Sequence, residues 1–153
     1  MPIKQPIESV VNQLSEKPQF IFASAAELND LLDNNKKFPV VGLVAETAIN
    51  LTYGLSHSVH NEVPVFLYFL YKAEHNRDRT ADQEILVHRA LALCKEFMLK
   101  LSQHRGDNDG RFFRIKAGQQ VEFKTIYHLN TFDTLTAGGY ITLTLQTLYH
   151  ETL

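Results

Sequence analysis

Two acidic residues and an acid-x-lysine triplet are the clearest candidates for chemistry in this sequence. Asp107 and Asp109 precede Glu122-Phe123-Lys124, and metal-dependent nucleases use such a spacing to hold a divalent ion with carboxylates beside a lysine at the scissile phosphate. The triplet also fits the polar side of an amphipathic strand, because apolar residues alternate with Glu122 and Lys124. A nuclease would need a basic groove as well. We favour the strand interpretation, and a nuclease using Asp109, Glu122 and Lys124 stays as the alternative.

Two other patterns contain metal-binding residue types. Residues 107–110 (DNDG) resemble the opening of a calcium loop, but neither a third acidic ligand nor a closing glutamate follows. His57-x-x-His60 is the one close histidine pair, and metal sites need three or four convergent groups. We expect a plain turn and a hairpin tip at these two places. Of His88 and His104, on a predicted long helix, one is expected to face solvent and one to complement the helix C-terminus. The sequence predicts no metal site.

Nucleophile patterns are equally sparse. Cys94 falls in the middle of an apolar helical stripe, where a thiol has no neighbour to stabilise its thiolate, so it is predicted to be a core residue. No Gly-x-Ser-x-Gly turn is present. Residues 136–139 (TAGG) precede a predicted strand, and their glycines are interpreted as turn residues. We therefore expect no catalytic residue and no cofactor.

Hydrophobic periodicity and helix breakers divide the chain into ten elements. The predicted helices are one from Ile3 that ends near Glu16, a short one capped by Ser24 and Glu27, and one of about 24 residues that begins at Thr80. The predicted strands cover residues 19–23, 38–44, 49–56, 63–71, 111–115, 121–128 and 140–149. The polar residues 56–62 are expected to form a loop, so the strands on either side of it pair as an antiparallel hairpin.

This order of elements indicates an α+β fold. We expect a mostly antiparallel sheet of about five to six strands, packed by an N-terminal helix, a short helix and one long helix in the order α-β-α-β-β-β-α-β-β-β. A chain of 153 residues is long enough to bury one core without metal or disulfide support. Residues 1–153 are therefore expected to form a single domain.

Composition argues against several classes of partner. Fifteen basic residues against seventeen acidic ones leave a formal charge of −2, which gives no electrostatic reason to expect sequence-specific nucleic-acid binding or an anionic membrane. No run approaches the roughly 20 apolar residues of a membrane span, and no signal-peptide core follows Met1. Cys94 is the single cysteine, which suits a reducing compartment.

The strand at 63–71 (VPVFLYFLY) carries large apolar residues on both of its sides. Its two sets are Phe66, Tyr68 and Leu70 on one side and Val65, Leu67, Phe69 and Tyr71 on the other. Two explanations stay open. Either helices cover this strand on both faces, or a neighbouring subunit covers what the three helices leave open.

Several segments together resemble a known family. They are the Ser24-capped helix with Glu27-Leu28-Asn29, the proline-containing strand at 63–71, the long helix, and the segment Phe132-Asp133-Thr134-Leu135-Thr136-Ala137-Gly138-Gly139-Tyr140 before an alternating strand. The chain in this respect resembles tail-terminator and tail-completion proteins of tailed bacteriophages. The resemblance implies a non-enzymatic virion protein that forms a ring, commonly a hexamer, at the head-proximal end of the tail tube.

The same resemblance implies the partners and the location. The ring would contact further copies of itself, the tail tube protein, and the head-tail connector or a neck protein. It would stop growth of the tube and join the tail to the head. Assembly would take place in the cytoplasm of the bacterial host, and the final location would be the tail or neck of the virion. Besides the nuclease, a cytosolic assembly adaptor with the same fold class stays open.

Overall fold

The computed structural model describes residues 3–34, 37–45, 50–53, 58–73, 80–103, 112–127, 132 and 134–150. The described helices are α1 (Lys4–Val11), α2 (Ala25–Asn34) and α3 (Thr80–Gln103). The described strands are β1 (Gln19–Ala23), β2 (Val40–Val44), β3 (Asn50–Tyr53), β4 (Ser58–Lys72), β5 (Phe112–Ile115), β6 (Lys124–Ile126) and β7 (Thr136–His150). The α+β class and the order of elements agree with the prediction.

All seven described strands belong to one sheet. Its main path runs β1-β2-β4-β7-β5, with β3 added beside β4 and β6 beside β7. β1 and β2 are parallel and every other pair is antiparallel. The parallel pair is joined through α2, as a parallel connection requires a crossover. A hydrogen bond from the Glu27 N–H to Ser24 Oγ, 3.3 Å, confirms the predicted N-cap of this helix.

The two central strands are longer than predicted. β4 and β7 have 15 residues each and pair from Ser58 with His150 to Lys72 with Thr136. The prediction that β4 starts at Val63 after a polar loop is wrong, and so is the placement of His60 at a hairpin tip, since His60 lies within β4 opposite Leu148. Ladder hydrogen bonds use backbone groups. Pairing with the long strand β7 therefore keeps residues 58–62 in a strand, although their polar side chains are typical of a loop.

The glycines predicted to form a turn lie inside β7. A Cβ at Gly138 would overlap the Phe69 carbonyl oxygen and lie 3.2 Å from Leu70 Cα. A Cβ at Gly139 would lie 2.7 Å from the Lys124 carbonyl oxygen. Glycine at both positions therefore allows the backbones of neighbouring strands to approach closely, and neither glycine forms a turn.

The N-terminal helix ends earlier than predicted. α1 stops at Val11, and beyond Asn12 the N–H groups bond three residues back, from Gln13 to the Val10 carbonyl and from Leu14 to the Val11 carbonyl. This tighter winding still carries Leu14 into the core, where it is 1% exposed. The apolar stripe thus continued past the end of the α-helix.

One face of the sheet holds the larger core. α1 and α3 cover it, and Val63, Val65, Leu67 and Phe69 of β4 are fully buried there. α3 has the expected 24 residues, and its buried side includes Ala90, Leu93, Cys94, Phe97 and Leu101. α2 covers part of the opposite face, where Leu28 and Leu32 pack with Ile21, Val40, Leu70 and Ile126.

Candidate functional site

Of the candidate nuclease residues, the structure describes only Glu122 and Lys124. Lys124 lies on β6, and its Nζ is 5.8 Å from the centre of the Tyr140 ring. Glu122 is exposed and precedes β6, because the strand predicted at 121–128 covers only Lys124–Ile126. Asp107 and Asp109 lie outside the described residues. Among the residues that are described, no three His, Cys, Asp or Glu side chains converge to hold a metal ion.

Packing or solvation accounts for two further candidates that the structure describes, Cys94 and His88. Burial raises the pKa of the Cys94 thiol to about 12, so at neutral pH it is a protonated core residue, as predicted. His88 is exposed on α3 and lies 3.6 Å from Glu84 Oε1. His57 and His104 lie outside the described residues.

An aromatic cluster marks the sheet face that α2 covers only in part. Phe66 and Tyr68 of β4, Tyr140 of β7 and the nearby Phe132 are each partly buried. We call these four residues the aromatic surface. Register explains the grouping of the strand residues, since Tyr68 pairs directly with Tyr140, and Phe66 precedes Tyr68 on the same side of β4. α2 thus covers only part of this face, and the aromatic rings lie beyond its edge.

The four rings form one connected set. Phe66 stacks on Tyr140 at 5.0 Å between ring centres with planes 18° apart. Tyr68 lies 5.3 Å from Phe66 and 5.4 Å from Tyr140. Phe132 meets Tyr68 edge to face at 5.4 Å. Contacts of this kind hold the rings in fixed positions, so the surface offers apolar area with little side-chain entropy left to lose on contact.

Among the described residues, the aromatic surface combines uncharged rings with a lysine at its edge. Desolvation raises the pKa of Tyr68, and the neighbouring Tyr140 raises it further. The Tyr68 phenol therefore stays protonated and able to donate a hydrogen bond. The Lys124 ammonium group over Tyr140 is the cation.

A polar group borders the aromatic surface along β4 and β7. Glu62 accepts hydrogen bonds from Lys116 Nζ and from Gln146 Nε2, both at 3.1 Å. Gln119 extends the ladder beside β7, because its side chain donates to the Thr144 carbonyl at 2.8 Å and accepts from the Thr144 N–H at 2.9 Å. These hydrogen bonds connect β4, β7 and the segment that follows β5, and so they stabilise this part of the sheet.

A cleft of about 880 Å³ lies at the opposite end of the sheet, where β1 and β2 begin. Its lining residues are Lys17, Pro18, Gln19, Asn34, Lys37, Phe38 and Pro39. Gln19 Oε1 is buried and has no hydrogen-bond partner among the described residues. Its described lining residues include two lysines but no grouping of acids, bases and nucleophiles that would catalyse a reaction.

Sequence reasoning identified half of the aromatic surface. The alternation in the strand at 63–71 predicted that Phe66 and Tyr68 share one side of the strand, opposite Val65, Leu67, Phe69 and Tyr71. It did not find Tyr140 or Phe132, because their proximity depends on the register between β4 and β7 and on the path of the chain before β7. The signal in the sequence was the aromatic residue at each end of the segment 132–140.

No protein-family model and no curated protein matches this chain. Within the part of the chain that the structure describes, no helix is both long and apolar enough to cross a membrane.

Proposed function

We propose that the protein is a structural subunit of a tailed bacteriophage, a tail terminator or tail-completion protein. In this proposal its copies form a ring, most simply of six, at the head-proximal end of the tail tube. The ring stops growth of the tube and provides the contact with the head-tail connector or neck. The phage assignment rests on the resemblance of the sequence, and the observation that carries self-association is the aromatic surface.

The composition of the aromatic surface supports a protein-protein contact. Aromatic residues are enriched in the centres of interfaces and supply much of the binding free energy. Phe66, Tyr68 and Tyr140 are ordered by their mutual contacts, so binding would cost little further ordering. Lys124 at the edge adds a charge for orientation.

A closed ring needs two different surfaces on each copy, since only a head-to-tail contact with a closing rotation generates one. The aromatic surface would be one half. Exposed apolar side chains elsewhere are candidates for the other half, namely Leu31 on α2, 43% exposed, and Leu51 on β3, 55% exposed. The heterologous contact therefore has residues available on both sides.

The test is electron microscopy of the protein mixed with isolated tail tubes. The proposal expects ring-shaped density at one end of the tube, at the end that meets the head in whole particles. Binding along the sides of the tube, or no binding, would refute the terminator assignment. A monomer in dilute solution would not, because association must first offset several kcal/mol of lost translational and rotational freedom, and the tube end is the expected template.

A matched pair of variants tests the part played by the aromatic surface. Tyr140→Ser removes a ring that contacts both Phe66 and Tyr68 and is expected to abolish the end density. Gln13→Ala, at an exposed position just after α1 and therefore on the other face of the sheet, is the control and should keep it. If both variants still cap the tubes, the ring forms through another surface.

A further inference from the structure

Apolar side chains attach the segment before β1 to the rest of the described chain. This segment, residues 3–16, contains α1, and we call it the N-terminal arm. Among the described residues, the backbone-to-backbone hydrogen bonds of the arm stay within it or end at Lys17. The arm can therefore leave its site and dock again without breaking a strand ladder. Its five core residues are each at most 1% exposed, namely Ile3, Ile7, Val10, Val11 and Leu14.

Three side chains outside the arm fix the position in which its last two residues dock. Glu96 of α3 accepts hydrogen bonds from the N–H and from the Oγ of Ser15, both at 2.8 Å. Glu16 accepts one from Arg89 of α3 at 2.9 Å and one from the Tyr71 hydroxyl of β4. An arm of the same sequence makes the same contacts whether it belongs to this copy of the chain or to another.

The connection between the arm and β1 is strained. Lys17 has a φ of 47°, in the left-handed region that a residue with a Cβ enters at a cost in free energy. Pro18 follows, and contacts with a proline ring favour an extended conformation in the residue before it. The Lys17 N–H donates to the Leu14 carbonyl at 3.0 Å, which closes the turn toward the arm's own site. Extension of this joint, Lys17-Pro18, relieves the strain but carries the arm away from that site.

An arm that leaves its site must be replaced by another. Release alone would expose the five apolar side chains of the arm and the core beneath them to water, which costs more free energy than the strain at one residue. The arm of a second copy fills the site with the same side chains and the same hydrogen bonds, while the joints of both copies extend. The structure itself shows how well this occupant fits, because the chain's own arm lies there.

We propose that two copies of this chain exchange their N-terminal arms, so that the arm of each packs against α3 and the sheet of the other. The joint spans roughly 7 Å when it is extended, so the two copies meet at their joints. Exchange needs complete release of an arm, so it is slow and the dimer persists on dilution. It does not rest on the proposed function, because it uses the helix layer and not the aromatic surface.

Cross-linking between positions 15 and 96 distinguishes an exchanged arm from one docked on its own chain. The reagent is the shortest bis-maleimide that joins Ser15→Cys to Glu96→Cys within one chain of 17.5 kDa, in the double variant at low concentration. Cys94 is buried, so unmodified protein supplies the background. The two single variants are then unfolded together in urea and refolded at high concentration. A cross-linked pair of chains is expected, because arm exchange places position 15 of one copy beside position 96 of the other.

Two results of this experiment would overturn the exchange. A refolded mixture that gives no cross-linked pair, with the reagent that joins the double variant within one chain, would show that each arm returns to its own copy. A pair that forms at once when the folded single variants are mixed, without unfolding, would indicate a side-by-side contact, because exchange requires release of the arm.

Lys17→Gly and Lys17→Ala are a matched pair that tests the joint. Both remove the ammonium group, but only glycine adopts the left-handed region without a steric cost. The dissociation constant of the exchanged dimer is expected to be about a hundredfold higher for Lys17→Gly than for Lys17→Ala, roughly tenfold for each of the two joints. Sedimentation equilibrium of protein refolded at a series of concentrations measures both constants. Equal constants, or a tighter dimer with glycine, would show that strain at Lys17 does not drive exchange and would overturn the proposal.

Discussion

Phe97→Ala tests whether the packing of α3 on the sheet stabilises the fold. Phe97 lies in the middle of the buried side of α3 and has no exposed surface. Its ring meets that of Phe69 on β4 edge to face, with 5.7 Å between centres and 63° between planes. Truncation to alanine therefore leaves a cavity between the helix and the central strand.

The expected loss of stability follows from that environment. Removing a buried phenylalanine side chain costs about 3–5 kcal/mol through lost burial and the residual cavity. The edge-to-face contact with Phe69 is worth about 0.5–1.5 kcal/mol beyond burial, which places the loss in the upper part of that range. Each 1.4 kcal/mol is a factor of ten, so the equilibrium constant for folding is expected to fall by about a thousandfold.

Urea unfolding followed by circular dichroism measures this loss. With a slope of about 2 kcal/mol per molar urea, the midpoint should fall by roughly 2 M. Lys95→Ala, an exposed change in the same helix, is the control and should stay within about 0.5 kcal/mol of the native protein. Phe97→Leu keeps most of the volume and provides a folded variant if alanine prevents folding. A midpoint shift under about 0.3 M for Phe97→Ala, at unchanged slope, would refute the assigned packing.

Gly138→Ala is expected to lower the thermal unfolding midpoint by at least about 5 °C, since its Cβ would overlap the Phe69 carbonyl oxygen; an unchanged midpoint would contradict that close approach. Burial raises the pKa of Cys94 from 9.0 to about 12, so the unfolded chain loses the thiol proton first. Its contribution to stability is complete below pH 9.0 and is lost toward pH 12, with a slope of at most about 1.4 kcal/mol per pH unit. Cys94→Ala should flatten that slope, and identical pH profiles would show that the thiol is accessible. Pure protein with Mg²⁺ is expected to leave plasmid DNA intact, and degradation that Glu122→Ala abolishes would favour the nuclease alternative.

Local patterns predicted most of the elements because local physics forms them. The Ser24 cap, the 24-residue α3 and the burial of Cys94 all follow from residue type and helical spacing. The same reasoning failed at 58–62 and 136–139, where polar residues and glycines lie inside strands. Pairing between β4 and β7 joins residues that are far apart in the sequence. Its contribution to stability therefore cannot be inferred from a short segment of the chain.

The sequence by itself determined which side chains would avoid water, since alternation in strands and spacing in helices assign each apolar residue to a face. It therefore established the α+β class and the surplus of aromatic residues on β4. Only the tertiary structure decided which residues lie next to those aromatic side chains. The register that sets Tyr68 beside Tyr140, and the position of α2 over only part of that face, arise from contacts between distant segments. Bringing distant segments together costs conformational entropy, because the loops between them must close. Burial of apolar side chains offsets that cost only when the whole chain has packed.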